Sequence, residues 1–423
     1  MSAVELDTAD GIGRRLVREA VWHEGCCNWV GAWPAETRDG SVAVTYAALG
    51  PDLYGGTSGV ALFLAELYRV TRDEDLRRTA LGALRQALGG VEDLPAAIRP
   101  ALYSGALGIA LAAALVGTLL AEQEPLDAVA ELTSLSPTPE VECDLMSGDA
   151  GAVLALLSLC ALLEDERIGA LAQEFGANLL ARAVGTPETL AWPARTIVGE
   201  PRLTGLSHGA SGCALALMEL WRWTGERRYR DAAEAGFAYE RSQFDLDAAN
   251  WPDLRGAAHG QPGPRSFATL WCHGAPGIAL ARLRAAELQL GAWTREEARI
   301  ALDTTTRAVE RELAHGGNFS LCHGLSGNAE ILLHGHEALG DERAADAELV
   351  RRVASEGIDR YANGGGAWPC GTLEGEATGL FLGLAGIGRF YLRLHDPRVP
   401  SMLLPTPDRL GAGLAGHEAV VER

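Results

Sequence analysis

Seven times in 423 residues, two glycines stand three apart at the head of an apolar run. The copies are "GGTSGVALFLAELY" (55–68), "SGALGIALAAAL" (104–115), "SGDAGAVLALLSL" (147–159), "HGASGCALALMEL" (208–220), "HGAPGIALARLRA" (273–285), "HGLSGNAEILLHG" (323–335) and "LGLAGIGRFYLRL" (382–394). Their second glycines fall at 59, 108, 151, 212, 277, 327 and 386. Between them lie segments such as 75–88, 294–313 and 341–358, whose apolar residues recur at three- and four-residue steps with Arg and Glu on the opposite face. Each unit therefore reads as one helix with almost no solvated face and one amphipathic helix. The spacing predicts an all-α fold, an α/α toroid of seven inner and seven outer helices. It is expected to form one domain over 1–423, with the glycine-repeat core at about 52–394. Strand signals are few. Glycine at a helix start permits close approach of a neighbouring chain, so the seven inner N-termini should share one rim.

Composition narrows the partners. Hydrophobic content of 48% with 22% charge fits a globular protein with a large core. With 36 Lys and Arg against 56 Asp and Glu, the net charge is −20, which argues against nucleic acid or an anionic membrane as partner. Residues 103–121 carry no charge, but as one copy of a repeat they read as a helix buried on all sides, without stable membrane insertion. The N-terminal stretch has no apolar signal core, so a cytoplasmic protein is expected. Eight scattered cysteines then suggest thiols or metal ligands in place of disulfides.

Four of the seven copies put reactive side chains on the rim. Cys272 and His273 precede the fifth, Cys322 and His323 the sixth, His208 the fourth and Asp144 the third. The first two copies offer Tyr54 and Tyr103. Two thiols and an imidazole brought together by a repeat suit Zn²⁺, which takes sulfur and nitrogen ligands in a tetrahedral shell. Helix N-termini favour the thiolate that binds metal. Three protein ligands leave a position for substrate, whereas four close the site. Adjacent side chains diverge, so one complete Cys-His pair already strains the geometry. Cys272, Cys322 and His323 are the expected ligands, leaving His273 to line the cavity.

The chain resembles the lanthionine synthetase C-like cyclases. The resemblance rests on "WCHG" (271–274), "CHG" (322–324) and the glycine copies from about Asp52 to Leu394. "WCHGAPG" is nearest to the cyclase domain of bifunctional lanthipeptide synthetases, although the chain has no room for a dehydratase domain. The resemblance implies an α/α toroid holding zinc through those same three residues. It implies His208 as general acid/base, with Asp144 beside it. Some members place an arginine four residues before the first zinc cysteine. Here that position is Ala268, and Arg265 is the nearest arginine.

The resemblance further implies addition of a cysteine thiol to dehydroalanine or dehydrobutyrine in a dehydrated precursor peptide supplied by a separate dehydratase. The product is a (methyl)lanthionine thioether. His208 would protonate the α-carbon, and Asp144 would orient His208 or take the thiol proton. Capping of its own helix is the alternative role for Asp144. Two other readings are addition of glutathione or another thiol to dehydrated residues in proteins, and a non-catalytic peptide-binding toroid with structural zinc. The Pro/Gly loops at 259–270 and 363–376 read as cavity walls, with His259 an ordinary loop residue and Cys370 near the site. Cys143, Cys160 and Cys213 read as core, and Cys26 and Cys27 as free or buried thiols.

Overall fold

The computed structural model describes residues 3–36, 42–197, 199–255, 265–372 and 374–415; His259 lies outside them. Its helices are α1 (Ala3–Glu19), α2 (Thr57–Thr71), α3 (Glu74–Gly89), α4 (Ala106–Leu120), α5 (Gln123–Leu132), α6 (Asp149–Leu163) and α7 (Glu166–Arg182). They continue as α8 (Ala210–Thr224), α9 (Arg227–Ser242), α10 (Ala275–Glu287), α11 (Trp293–His315), α12 (Leu325–Leu339), α13 (Ala344–Gly357), α14 (Leu384–His395) and α15 (Pro407–Ala415). Three short antiparallel hairpins accompany them. These are β1 (Val21–His23) with β2 (Cys26–Asn28), β3 (Val30–Glu36) with β4 (Val42–Ala48), and β5 (Val184–Thr186) with β6 (Thr189–Ala191).

Even-numbered helices from α2 to α14 are the seven predicted glycine copies, and they form the inner ring. Each packs on the next, and α14 returns to α2. The uncharged run at 103–121 contains α4, whose residues are buried except Thr118; among the described residues no helix is long and apolar enough to cross a membrane. Outer helices α3, α5, α7, α9, α11 and α13 pack on the inner helices that precede them. The seventh outer helix is α1, which packs on α14. The ring is thus completed by the N-terminus, from outside the 52–394 span.

The glycine pairs explain the geometry of the rim. The first glycine of each copy is the helix N-cap, extended in six copies and at φ +85° only in Gly274. At the second glycine the chain folds back so closely that a Cβ would strike the carbonyl oxygen six residues earlier, as Gly327 against Leu321 shows. That fold-back presents the intervening residue to its neighbours. Tyr54 donates its N–H to the Tyr103 carbonyl, Tyr103 to Met146, Met146 to Ser207 and Ser207 to Cys272; Trp271 donates to Cys322, Cys322 to Phe381 and Phe381 to Tyr54. A belt of main-chain hydrogen bonds thereby runs through all seven copies and closes.

The barrel interior below this belt is filled. Tyr103, Trp271 and Phe381 pack edge-on or tilted at 4.9–5.3 Å, and Tyr54 stacks on Phe381 at 5.0 Å. Beneath them the segment after α14 enters the barrel. Tyr103 Oη donates to the Met402 carbonyl at 2.9 Å, Trp271 Nε1 to Leu403 at 3.1 Å and Ser158 Oγ to Pro405 at 3.0 Å. Buried ion pairs join adjacent inner helices there: Arg389 with Glu66 at 2.7 Å and Arg284 with Glu219 at 2.5 Å. Arg284 also reaches Asp408 of α15.

Candidate active site

Residues at one repeat position build the site. Tyr54, Tyr103, Met146, Ser207, Cys272, Cys322 and Phe381 each stand five residues before the second glycine of their copy, as 272 does before 277. The next position holds His208, His273 and His323 in three successive copies. The belt therefore sets Cys272 and Cys322 on neighbouring copies, with an imidazole following each and another one copy away.

The two thiols meet. A hydrogen bond from Cys322 is the main cause holding the Cys272 thiol below its ordinary range, against burial, and the positive charges of His208 and Arg255 add to it. Burial and the neighbouring Cys272 push Cys322 well up, although Tyr54 bonds to it. The depression thus comes chiefly from the partner thiol, and it falls on one cysteine of the two. Burial keeps His323 neutral by lowering its pKa. Two neighbouring thiols and an imidazole next in the chain are donors of the kind zinc prefers. Among the described residues, no group of three or more His, Cys, Asp or Glu side chains is already assembled around a metal position.

His208 and Asp144 form the second half of the site. His208 Nδ1 lies 2.7 Å from Asp144 Oδ2. A carboxylate only accepts, so Nδ1 carries the hydrogen and Nε2 is the working nitrogen. The other oxygen of Asp144 accepts the Ser147 N–H at 2.7 Å. Asp144 forms a turn ahead of α6 and is the partner of His208; it does not cap the helix, whose N-cap is Gly148 without a side-chain bond. Burial lowers the His208 pKa, but Asp144 outweighs it and the net shift is upward. The His273 ring lies nearly parallel to that of His208, at 23° with centroids 5.5 Å apart. Burial, with Arg255 and His208 nearby, pushes His273 down to about 3. The two shifts are opposite in direction, and Asp144 is what raises that of His208.

An arginine missed by the sequence reading stands here. Arg255 is held by Asp253 at 2.6 Å, and Asp253 donates its N–H to the Ser266 carbonyl at 2.7 Å. Its charge acts on Cys272, Cys322, His208 and His273. Arg265 instead lies 59% exposed, 3.7 Å from Asp245. Arg255 is 17 residues ahead of Cys272, outside any repeat position (272 − 255), so no spacing singles it out. Cys370 bonds the Ala377 carbonyl, and burial pushes its thiol up to about 12. Cys143, Cys160 and Cys213 are core residues and Cys27 is buried.

Comparison with known proteins agrees with this architecture. Residues 47–404 match the family model described as lanthionine synthetase C-like protein. The chain is 24% identical over 262 residues to a lacticin 481/lactococcin biosynthesis protein, LcnDR2, of Lactococcus lactis subsp. lactis. That match covers 58% of this chain, which spans only 24% of the relative's length. The solved structure of nisin cyclase superposes with a TM-score of 0.62 at 19% identity, covering 86% of this chain and 92% of the other. That likeness shows a shared fold, and with a family match over most of the sequence the chain belongs to the lanthionine synthetase C-like proteins.

Proposed function

We propose that this protein is a zinc-dependent cyclase that adds cysteine thiols to dehydroalanine or dehydrobutyrine residues of a modified precursor peptide. The observation carrying this reading is that the main-chain belt sets Cys272 and Cys322 on neighbouring copies of one rim that also holds the His208–Asp144 pair. Zinc on Cys272, Cys322 and His323 would supply a position where a substrate thiol is held as thiolate at neutral pH.

The remaining work falls to the chain's own groups. The C–S bond forms at the alkene β-carbon as the π bond breaks, leaving negative charge on the α-carbon and its carbonyl. His208 Nε2, kept protonated by Asp144, delivers the proton to the α-carbon. Arg255 places a positive charge over the region where the anion develops. Neutral His273 stacks on His208 and limits where that ring can swing. Tyr54, Tyr103, Trp271 and Phe381 form an apolar floor that keeps water from beneath the reacting atoms.

The substrate in this reading comes from a separate dehydratase, and the reaction is cytoplasmic. Purified protein incubated with dehydrated cysteine-containing peptides tests it, with alkylation of residual thiols counted by mass spectrometry. Unalkylatable products of unchanged mass are expected. Products heavier by one glutathione, formed only when that thiol is added, would instead favour a thiol-addition enzyme.

A further inference from the structure

The β3–β4 hairpin stands at the rim beside the first and seventh copies. The Trp33 ring lies over Gly55, and Gly31 lies against Thr378. Tyr54, adjacent to Gly55, lies beside Cys322 on the closed rim belt. A groove of about 320 Å³ runs between the hairpin and the rim, lined by Gly31, Trp33, Ala47, Asp52 and Gly55 among others. Gly31 and Ala47, two of its small lining residues, face each other in the register.

The hydrogen-bond phase of the hairpin shows what its edge offers. Ala32 donates its N–H away from β4, to the Glu376 carbonyl at 3.0 Å. In an antiparallel pair, facing residues alternate between bonded and non-bonded. Ala32 and Tyr46 are therefore a non-bonded pair, and Tyr46 turns its N–H and C=O outward. By the same alternation so do Val44 and Ala48. Pro34, which has no N–H, faces Val44 and fits that phase. Among the described residues, no main-chain bond covers this outer edge of β4. Tyr46 and Trp33 are 63% and 42% exposed, and Val30 is 65% exposed. An open strand edge with exposed aromatics is a template for an added strand.

We infer that the outer edge of β4, with Trp33 and Tyr46, binds an extended segment of the peptide substrate as an added strand and feeds it along the groove to the rim thiols. The inference rests on the peptide-cyclase reading above. The occupant is assigned by continuity: the groove's lining includes Gly55, next to Tyr54, whose carbonyl accepts from Phe381, itself the acceptor for the Cys322 N–H. Main-chain pairing also suits a substrate whose side chains change between ring-forming sites, because it reads backbone and tolerates sequence.

Two substrates separate the parts of the argument. One is a dehydrated peptide of about 25 residues, roughly 80 Å when extended, and the other a blocked pentapeptide with one cysteine and one dehydroalanine. Ala48→Pro, which removes an outward N–H without touching the hairpin ladder, and Trp33→Ala should each raise KM for the long peptide about tenfold, equivalent to about 1.4 kcal/mol. Turnover of the pentapeptide should be unchanged. Unchanged KM for the long peptide would overturn the inference. Hydrogen exchange of the unmodified full-length protein gives a reading that needs no variant. Residues 42–49 should be protected by the long peptide and not by the short one. No protection, or protection that grows with protein concentration alone and marks pairing between copies, would overturn it. Failure of the unmodified protein to cyclise either substrate would sink the cyclase reading, while exchange at 42–49 would still decide this one.

Discussion

His208 and Asp144 show how one carboxylate serves two purposes: one oxygen forms the turn before α6, and the other raises the His208 pKa. His208→Asn should keep the fold and metal content but lower early-time cyclisation by about 10²–10⁴-fold; unchanged initial rates would make His208 structural. The imidazole should titrate above its ordinary value of about 6.5, and Asp144→Asn should bring it down, as followed by NMR. Because the folded pKa is raised, the pair's contribution to stability is complete below the unfolded value and lost as pH rises through the folded one. Cyclisation should fall over that same upper range as the acid is titrated. Metal analysis of Cys322→Ala should find zinc lost, whereas His273→Ala should retain it. Residues at this scale were legible where a repeat position carried them: all three rim histidines and both thiols were readable. Arg255 was not, because a loop contact between Asp253 and Ser266 brings it in, and such contacts leave no period in a sequence.

At the scale of elements, the glycine copies were readable because they satisfy a steric demand. Gly327→Ala would push a Cβ into the Leu321 carbonyl, beside Cys322. Overpacking of this kind costs typically about 1–3 kcal/mol, so the variant should melt earlier and also hold zinc less tightly, by thermal denaturation and metal analysis. Zinc affinity equal to that of the unmodified protein would mean that the rim backbone does not position the thiol. The outer helices were readable from their charged faces, but the pairing of α1 with α14 was not. It joins the two ends of the ring, and no local pattern states which outer helix covers the last inner one. The β3–β4 hairpin was also missed: its strands expose apolar residues on a short stretch, so alternation is weak.

For the whole molecule, residues 401–406 fill the barrel interior beneath the rim aromatics. Tyr103→Phe would leave the buried Met402 carbonyl without its donor and should cost about 1–3 kcal/mol, measured by chemical denaturation; an unchanged midpoint would mean that water replaces the hydroxyl. The closed belt of rim hydrogen bonds has a different consequence. Open repeat arrays have terminal units that can fray, and they unfold by steps along the chain. Here the first and seventh copies are bonded to each other through Phe381 and Tyr54, so no copy is terminal. Opening any one of them breaks contacts on both sides. The amides of Tyr54, Tyr103, Met146, Ser207, Trp271, Cys322 and Phe381 should therefore exchange with solvent at one common free energy, through a single global event.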